Sequence, residues 1–236
     1  MTEYPRAGTS VTLVLLRHGS SLSNEDQSFG GWNDVPLSER GVEQARMAGH
    51  KLKRKGVRFD LAYSSVLTRA SSTLTHCLDA LGQPCIPTVS DWRLNERHYG
   101  RLQGMKKSEA AKLYGDEQVR IWRRGFRERP PLITPGEVHD SFGELRYAGL
   151  CRSQVPLGES LQDTRARVRQ CWDELIYPEL TRNRNVLLVA HGNSIRALLM
   201  EVDGISEDRI GSVEVPNGIP LVFHMRPRNG GFLRVI

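Results

Sequence analysis

Two stretches of the sequence share one construction, an apolar run that ends in His-Gly, and this feature constrains the fold most. "LVLLRHG" places Arg17, His18 and Gly19 directly after the first run, and "LLVAHG" places His191 and Gly192 after the second. Short apolar runs of this kind predict buried strands of a parallel sheet. Because open α/β sheets bind ligands beyond the carboxyl ends of their strands, we expect both histidines to face one crevice.

The rest of the chain alternates strand and helix patterns, which is typical of an α/β fold with a mostly parallel central sheet flanked by helices. Strands are predicted at residues 12–16, 59–65, 87–96, 185–190, 219–225 and 232–236. Helices are predicted at residues 37–56, 67–82, 159–180 and 194–202. We predict a single domain over residues 1–236, in which residues 100–158, charged and rich in Pro and Gly, form an insertion that covers the site.

The charge balance and the sequence pattern restrict the class of partner. A formal charge of +6 is compatible with nucleic acid, a membrane surface or a small anion. Aromatic residues interleave too sparsely with the basic run "IWRRGFRERP" for a nucleic-acid stacking surface, so we expect no nucleic-acid partner. No apolar stretch reaches the ~18–20 residues of a membrane span and no signal peptide is apparent, so we expect a cytoplasmic protein without membrane contact.

The four cysteines show neither metal-ligand spacing with histidine nor a dense disulfide framework. We therefore expect free thiols in a reducing compartment, and no metal site is indicated.

The residues around the two His-Gly pairs favour phosphate chemistry. Arg17 offers a bidentate fork for phosphoryl oxygens, and a neutral His18 imidazole can attack phosphorus if its other nitrogen is held by a hydrogen bond. Gly192 begins "GNSIRA", where the first N–H groups of a helix attract an anion. A single His-Gly after a strand is equally well an incidental turn; the two occurrences together with the arginine favour a phosphohistidine nucleophile.

Six motifs extend this pattern over most of the chain. "LRHGSS", "GGWNDVPLSERGVEQA", "YSSVLTRA", "LNERHYGRLQG", "GDEQVRIWRRGF" and "AHGNSIRAL" resemble those of the 2,3-bisphosphoglycerate-dependent phosphoglycerate mutases, within the histidine phosphatase superfamily. The resemblance covers about Leu13 to Phe223. It implies the three-layer fold of the phosphoglycerate mutases.

The resemblance also implies roles for individual residues. His18 would be the residue that is phosphorylated, with Arg17, Asn24, Arg69 and His191 around the phosphoryl group, and a protonated His191 would help to stabilise the transition state. Glu96 would be the acid and base for the substrate hydroxyl, which requires a pKa raised towards neutrality. The substrate's carboxylate and second phosphate would be held by Arg97, Tyr99, Lys107, Arg123, Arg124 and Asn193, with backbone at Gly31 and Gly192; Ser21 matches the mutase pattern.

The implied reaction interconverts 3-phosphoglycerate and 2-phosphoglycerate. Phosphorylated His18 gives its group to the substrate, and the bound 2,3-bisphosphoglycerate reorients before returning its other phosphate. 2,3-Bisphosphoglycerate is therefore expected as primer and cofactor, small phosphorylated three-carbon acids as ligands, and a homodimer or homotetramer as the assembly.

Several departures from the family pattern keep other functions open. Ser20, Ser23 and Gly30 stand where the family usually has Glu, Trp and Thr, and the sequence stops at Ile236 where a closing tail often follows, so we expect water to reach phosphorylated His18. One alternative is a histidine phosphatase acting on small phosphorylated metabolites. Another is a non-catalytic protein that binds such metabolites.

Overall fold

One six-stranded sheet forms the centre of the molecule, which we describe from a computed structural model covering residues 10–228 and 231–235, with side chains to residue 225. The strands are β1 (Val11–Arg17), β2 (Leu61–Ser64), β3 (Thr88–Ser90), β4 (Val186–Ala190), β5 (Pro220–Arg228) and β6 (Gly231–Val235). Their order across the sheet is β3-β2-β4-β1-β5-β6. The first four are parallel, whereas β5 and β6 are antiparallel to their neighbours. The mostly parallel sheet is confirmed; Ile236, the end of the last predicted strand, lies outside the described residues.

Helices cover both faces of the sheet. They are α1 (Leu22–Glu25), α2 (Glu39–Arg54), α3 (Thr68–Leu81), α4 (Lys107–Tyr114), α5 (Asp116–Arg124), α6 (Leu161–Cys171), α7 (Tyr177–Thr181), α8 (Gly192–Val202) and α9 (Glu207–Ile210). The helix predicted over residues 159–180 is α6 and α7 joined by a π-helical turn at Trp172–Ile176. Ser38 caps α2 as its side chain accepts from Gly41 N–H, and Gly82 ends α3 in the left-handed conformation.

The alternation of side chains along β1 divides the core into two layers, one on each face of the sheet. Val11, Leu13 and Leu15 pack in the cluster that includes Val168 of α6 and Ile195 of α8. The intervening residues of β1 pack with α2 and α3 on the other face, in a cluster that includes Val14, Leu16, Leu52, Leu74 and Leu78. Two helical layers therefore enclose the sheet, as in a three-layer α/β fold.

The register of β1 and β4 brings the two His-Gly pairs together. The two strands run parallel from the pair Leu13 and Val186 to the pair Arg17 and Ala190. His18 and His191 are the next residues on each strand, at the same edge of the sheet.

The segment from residue 100 to 158 begins with a 3₁₀ turn, Gly100–Leu102, which α4 and α5 follow. It continues as irregular chain with two further 3₁₀ turns, Leu145–Tyr147 and Arg152–Gln154. The two helices stand over the carboxyl edge of the sheet and supply residues to the site. Residues 125–158 supply none of the side chains that line it. This segment also carries exposed apolar side chains, including Val138 and Leu145.

All four cysteines are free thiols; Cys77 and Cys171 are buried, and Cys85 and Cys151 are exposed. Within the described part of the chain, no helix combines the length and the apolar character needed to cross a bilayer.

Candidate active site

The two strand-end histidines lie side by side at the base of a cavity. Their ring centroids are 4.9 Å apart, and both side chains are buried. Gly19 lets β1 reach this position because a Cβ atom there would overlap the carbonyl oxygen of Gly41 at the start of α2. The close contact between this turn and α2 sets the position of His18.

His18 is oriented and neutral in the ligand-free protein. Its Nδ1 donates to the carbonyl oxygen of Gly19 at 2.6 Å, because a carbonyl can only accept. Burial, followed by the charges of Arg69 and Arg17, lowers the pKa of His18 well below its ordinary value. The lone pair on Nε2 is therefore available as a nucleophile.

His191 is the residue at which α8 begins, and it is fully buried. Its Nε2 lies 2.6 Å from the Oγ atom of Ser65, while its Nδ1 has no hydrogen-bond partner in the described structure. Burial, then the charges of Arg69, His18 and Arg17, lower the pKa of His191 well below its ordinary value. His191 is therefore neutral in the ligand-free protein, and its protonation in the transition state stays a prediction.

Glu96 follows the 3₁₀ turn Trp92–Leu94 and presents one carboxylate oxygen to the helix start. Three N–H groups donate to Oε1: the backbone of Arg97 at 2.8 Å, the backbone of Asn193 at 3.1 Å and Nδ2 of Asn193 at 2.9 Å. None of these hydrogen bonds involves Oε2, the oxygen that faces Gly192. Oε2 is therefore the oxygen placed to carry a proton.

The pKa of Glu96 is lowered, not raised as the expected acid and base role requires. Burial on its own raises the pKa, but the hydrogen bond from Arg97, the charges of Arg17 and Arg69, and the Asn193 amide outweigh it. The expectation of a raised pKa is wrong for the ligand-free protein. An anionic ligand next to these two arginines offsets their charge and raises the pKa of Glu96.

Arg17 and Arg69 lie next to the two histidines, and we call these two residues the inner cations. Arg17 donates through Nη1 to the carbonyl of Val215 at 2.7 Å, whereas its buried Nε has no partner in the described structure. Arg69 donates to the carbonyls of Gly31 and Asn33 at 2.6 and 2.8 Å, which ties it to the loop after α1. Burial lowers the pKa of Arg69 to about 10, so it remains charged at neutral pH.

The cavity above these groups has a volume of about 890 Å³. Among the predicted site residues, those on its wall are Arg17, His18, Ser21, Asn24, Gly31, Arg69, Glu96, Tyr99, Lys107, Arg123, Arg124, Gly192 and Asn193. The departures Ser20, Ser23 and Gly30 also line it.

His191 and Arg97 do not lie on the cavity wall. His191 lies beside His18 and is fully buried, and Arg97 is buried next to Tyr99, with its guanidinium 4.9 Å from the centroid of the Tyr99 ring. The Nε and Nη1 atoms of Arg97 are buried without partners in the described structure.

A second group of cations, which we call the outer cations, is formed by Lys107, Arg123, Arg124 and Arg196. Burial, then the charge of Arg123, lower the pKa of Lys107. Arg124 pairs with the exposed carboxylate of Glu214 at 2.6 Å. The cavity thus has cations near the histidines and a further set in its wall, which fits a ligand with two anionic groups.

The residues of this site that were not predicted from the sequence include Ser65, Asn217 and Arg196. Ser65 contacts His191, Asn217 donates from Nδ2 to the His18 carbonyl at 2.8 Å, and Arg196 lines the cavity. Arg196 lies on α8, and its position in "AHGNSIRAL" is a sequence feature that could have indicated it. Nothing in the local pattern indicates Asn217, because it lies in the loop before β5 and reaches the site from far along the chain.

Trp32, in the loop after α1, does not line the cavity. The indole is buried beneath the site, and its Nε1 donates to the carbonyl of Glu96 at 2.7 Å. Trp32 therefore supports the Glu96 loop from below.

The arrangement combines a nucleophilic imidazole, a carboxylate able to exchange a proton and fixed cations around both. These are the parts needed for transfer of a phosphoryl group, in which charge builds on the phosphoryl oxygens and protons move at the ester oxygen.

Comparison with known proteins agrees with this chemistry. The sequence model of the histidine phosphatase superfamily, branch 1, matches residues 13–148 and 143–235. A mycobacterial glucosyl-3-phosphoglycerate phosphatase in complex with VO3 is similar at a TM-score of 0.70 and 26% sequence identity, over 92% of each chain.

An alpha-ribazole phosphatase from Shigella flexneri is similar in fold at a TM-score of 0.67 and 22% identity, over 96% of this chain and 95% of that chain. The family match spans nearly the whole sequence and includes both histidines. This chain therefore belongs to the histidine phosphatase superfamily, branch 1.

Proposed function

We propose that this chain is a phosphatase that hydrolyses small phosphorylated acids through a phosphohistidine at Nε2 of His18. The observation that carries the proposal is the neutral His18 imidazole, whose Nδ1 is held by Gly19 while Nε2 stays available beside Arg17 and Arg69. The similarity to a phosphatase whose name includes 3-phosphoglycerate supports hydrolysis and a substrate of this class.

In the first half of the reaction, Nε2 of His18 attacks phosphorus and the bond from phosphorus to the ester oxygen breaks. The leaving oxygen takes a proton from Oε2 of Glu96, which has become protonated because the bound anion raises its pKa. In the second half, water attacks phosphorus, the bond to Nε2 breaks, and the proton of the water passes to Glu96. The products are an alcohol and inorganic phosphate.

A second candidate is the phosphoglycerate mutase that the sequence motifs resemble. The specific observation in its favour is the outer cations, because a mutase must hold an intermediate with two phosphates, whereas hydrolysis needs only one phosphate site. Lys107 and Arg123 make no side-chain hydrogen bond or ion pair within the described structure. In a mutase, 2,3-bisphosphoglycerate would be held by Arg17 and Arg69 at one end and by Lys107, Arg123 and Arg124 at the other.

The deciding experiment incubates the protein with 3-phosphoglycerate, with and without a trace of 2,3-bisphosphoglycerate. Formation of 2-phosphoglycerate is followed by coupling to enolase, and free phosphate is measured in parallel. Phosphate release without isomerisation supports the phosphatase. Isomerisation that depends on the primer contradicts it and supports the mutase.

The control is His18→Ala, which should abolish either activity while the protein stays folded, because the residue is a nucleophile at a strand end. Retained binding of 3-phosphoglycerate by the wild-type protein, without turnover and without phosphohistidine by mass spectrometry, would contradict both enzymatic functions.

A further inference from the structure

We propose that Ser65 is a positioning residue that holds His191 in the tautomer with its hydrogen on Nδ1, so that a neutral imidazole donates a hydrogen bond to the phosphoryl group. The tautomer itself follows from the ligand-free structure. The donation to a phosphoryl group rests on the proposed function.

Ser65 directly follows β2 and is shielded from solvent. The residue is fully buried, and its backbone N–H donates to the carbonyl of Val189 on β4 at 3.3 Å. Its Oγ atom lies 2.6 Å from Nε2 of His191 and accepts from the backbone N–H of Leu67 at 3.3 Å. No other hydrogen bond is made by this hydroxyl within the described structure.

The hydrogen-bond inventory of a hydroxyl selects one tautomer. A serine hydroxyl has one hydrogen to donate and two lone pairs, and the Leu67 N–H occupies one lone pair. If Nε2 of His191 carried the hydrogen, it would donate to Ser65, and the Ser65 hydrogen would be buried with no acceptor. If Ser65 donates to Nε2, the hydroxyl is fully paired and the hydrogen on Nδ1 is the one unpaired group, whereas the other tautomer leaves both the Ser65 hydrogen and the Nδ1 lone pair unpaired.

This tautomer explains the otherwise unpartnered Nδ1 atom of His191. The atom is buried without a partner, in a ring 4.9 Å from that of the nucleophile His18. An Nδ1 with a hydrogen attracts a phosphoryl oxygen, whereas an Nδ1 with a lone pair repels it. The unpartnered atom is thus a donor whose acceptor arrives with the substrate.

A neutral donor also suits the charges that face this ring. Arg69 from α3, Arg17 and His18 from the end of β1 and Arg167 from α6 all oppose a positive charge on His191. Protonation of His191 would also give an N–H donor, but it would place another positive charge close to these groups, which is unfavourable. The tautomer that Ser65 selects provides the same N–H donor on His191 without adding a positive charge.

The test is nitrogen NMR of the ligand-free protein labelled with ¹⁵N-histidine, with the His191 signals assigned from the spectrum of His191→Gln. The wild-type protein should show the hydrogen of His191 on Nδ1 at neutral pH. Ser65→Ala should lose this preference and show a mixture or the opposite tautomer. A wild-type hydrogen on Nε2, or an unchanged tautomer in Ser65→Ala, would overturn the proposal.

The matched control is Ser64→Ala, the preceding residue, whose Oγ contacts Oγ of Ser90 at 3.1 Å and not the histidine. This variant should leave the His191 tautomer unchanged. The wild-type spectrum decides the tautomer even if Ser65→Ala does not fold.

Binding of inorganic phosphate tests the functional part separately. Ser65→Ala should weaken phosphate binding about tenfold, because a donor to an anion is lost, and Ser64→Ala should not. Equal affinities of Ser65→Ala and the wild type would contradict the donor role. If inorganic phosphate does not bind the wild-type protein at all, the proposed function fails while the tautomer result stands.

Discussion

Among the individual residues of the site, the cationic side chains of the cavity differ in the groups that they contact in the ligand-free protein. Arg69 is fixed by backbone carbonyls and Arg17 by the carbonyl of Val215, so both positions exist before a ligand arrives. Arg124 instead pairs with Glu214, whose side chain is 74% exposed. A pair of this kind contributes little to stability and can exchange its partner for a ligand.

We therefore predict that Arg124→Gln raises the KM for the substrate about tenfold, since a charged contact to an anion is lost. The free energy of unfolding should change by less than about 1 kcal/mol, because the lost pair is exposed. Steady-state kinetics and urea denaturation measure the two effects. Arg127→Gln is the matched control: Arg127 forms an exposed pair with Glu207 away from the cavity, and its loss should change neither quantity.

Glu96 gives a prediction for the pH dependence of stability. Its folded-state pKa lies below the ordinary value, so ionisation of Glu96 favours the folded state. This stabilisation is complete above the unfolded-state pKa, about 4.3, and is lost as the pH falls through the lower folded-state pKa. The stability difference between the wild type and Glu96→Gln should therefore be largest near neutral pH and shrink towards acid.

Urea midpoints of both proteins across the acid range measure this difference. A difference that stays constant with pH would show that Glu96 is not ionised preferentially in the folded protein.

At the scale of elements, the contact between the turn after β1 and the start of α2 decides where the nucleophile lies. A Cβ atom at Gly19 would overlap the carbonyl of Gly41, and one at Gly41 would overlap the carbonyl of Ser20. Neither carbonyl can move without displacing its element. The two glycines therefore let strand and helix approach closely enough to place His18 at the cavity base.

We predict that Gly19→Ala destabilises the fold by about 1–3 kcal/mol, because the added methyl group must displace backbone. It should also lower activity by moving His18. Gly149→Ala is the control, since a Cβ atom at Gly149 meets nothing within 4 Å. Thermal or urea unfolding of the two variants measures the effect, and equal stabilities would contradict this account of the turn.

At the scale of the whole molecule, positive charge collects in one place. The cavity wall carries seven basic residues, Arg17, Arg40, Arg69, Lys107, Arg123, Arg124 and Arg196, against the three acids Glu25, Glu96 and Glu214. The excess over the whole chain is only +6. The positive potential is therefore focused on the cavity, where it attracts anions.

We predict that the dissociation constant for inorganic phosphate rises several-fold between about 20 and 200 mM KCl, because salt screens the outer cations Lys107, Arg123 and Arg124, which are only partly buried. Calorimetric titration at each salt concentration measures it. An affinity independent of salt would show that only the buried inner cations, Arg17 and Arg69, hold the anion.

The sheet and the place of the site could be predicted from the sequence. The apolar runs before His18 and His191 have no stable position except buried in parallel strands, and parallel strands end at one edge. The boundaries of α2 and α3 followed from Ser38 and Gly82, whose local chemistry acts within a few residues. These features depend on neighbours in the chain, and the sequence displays them directly.

The protonation states of the site and the contacts that support it could not be predicted in this way. The pKa values of Glu96 and His191 depend on burial and on arginines from other elements, which no local pattern reveals. Ser65 meets His191 across 126 positions of the chain, and Trp32 lies under Glu96 instead of in the pocket. Contacts of this kind arise from the packing of distant segments, and for that reason the structure was needed to assign them.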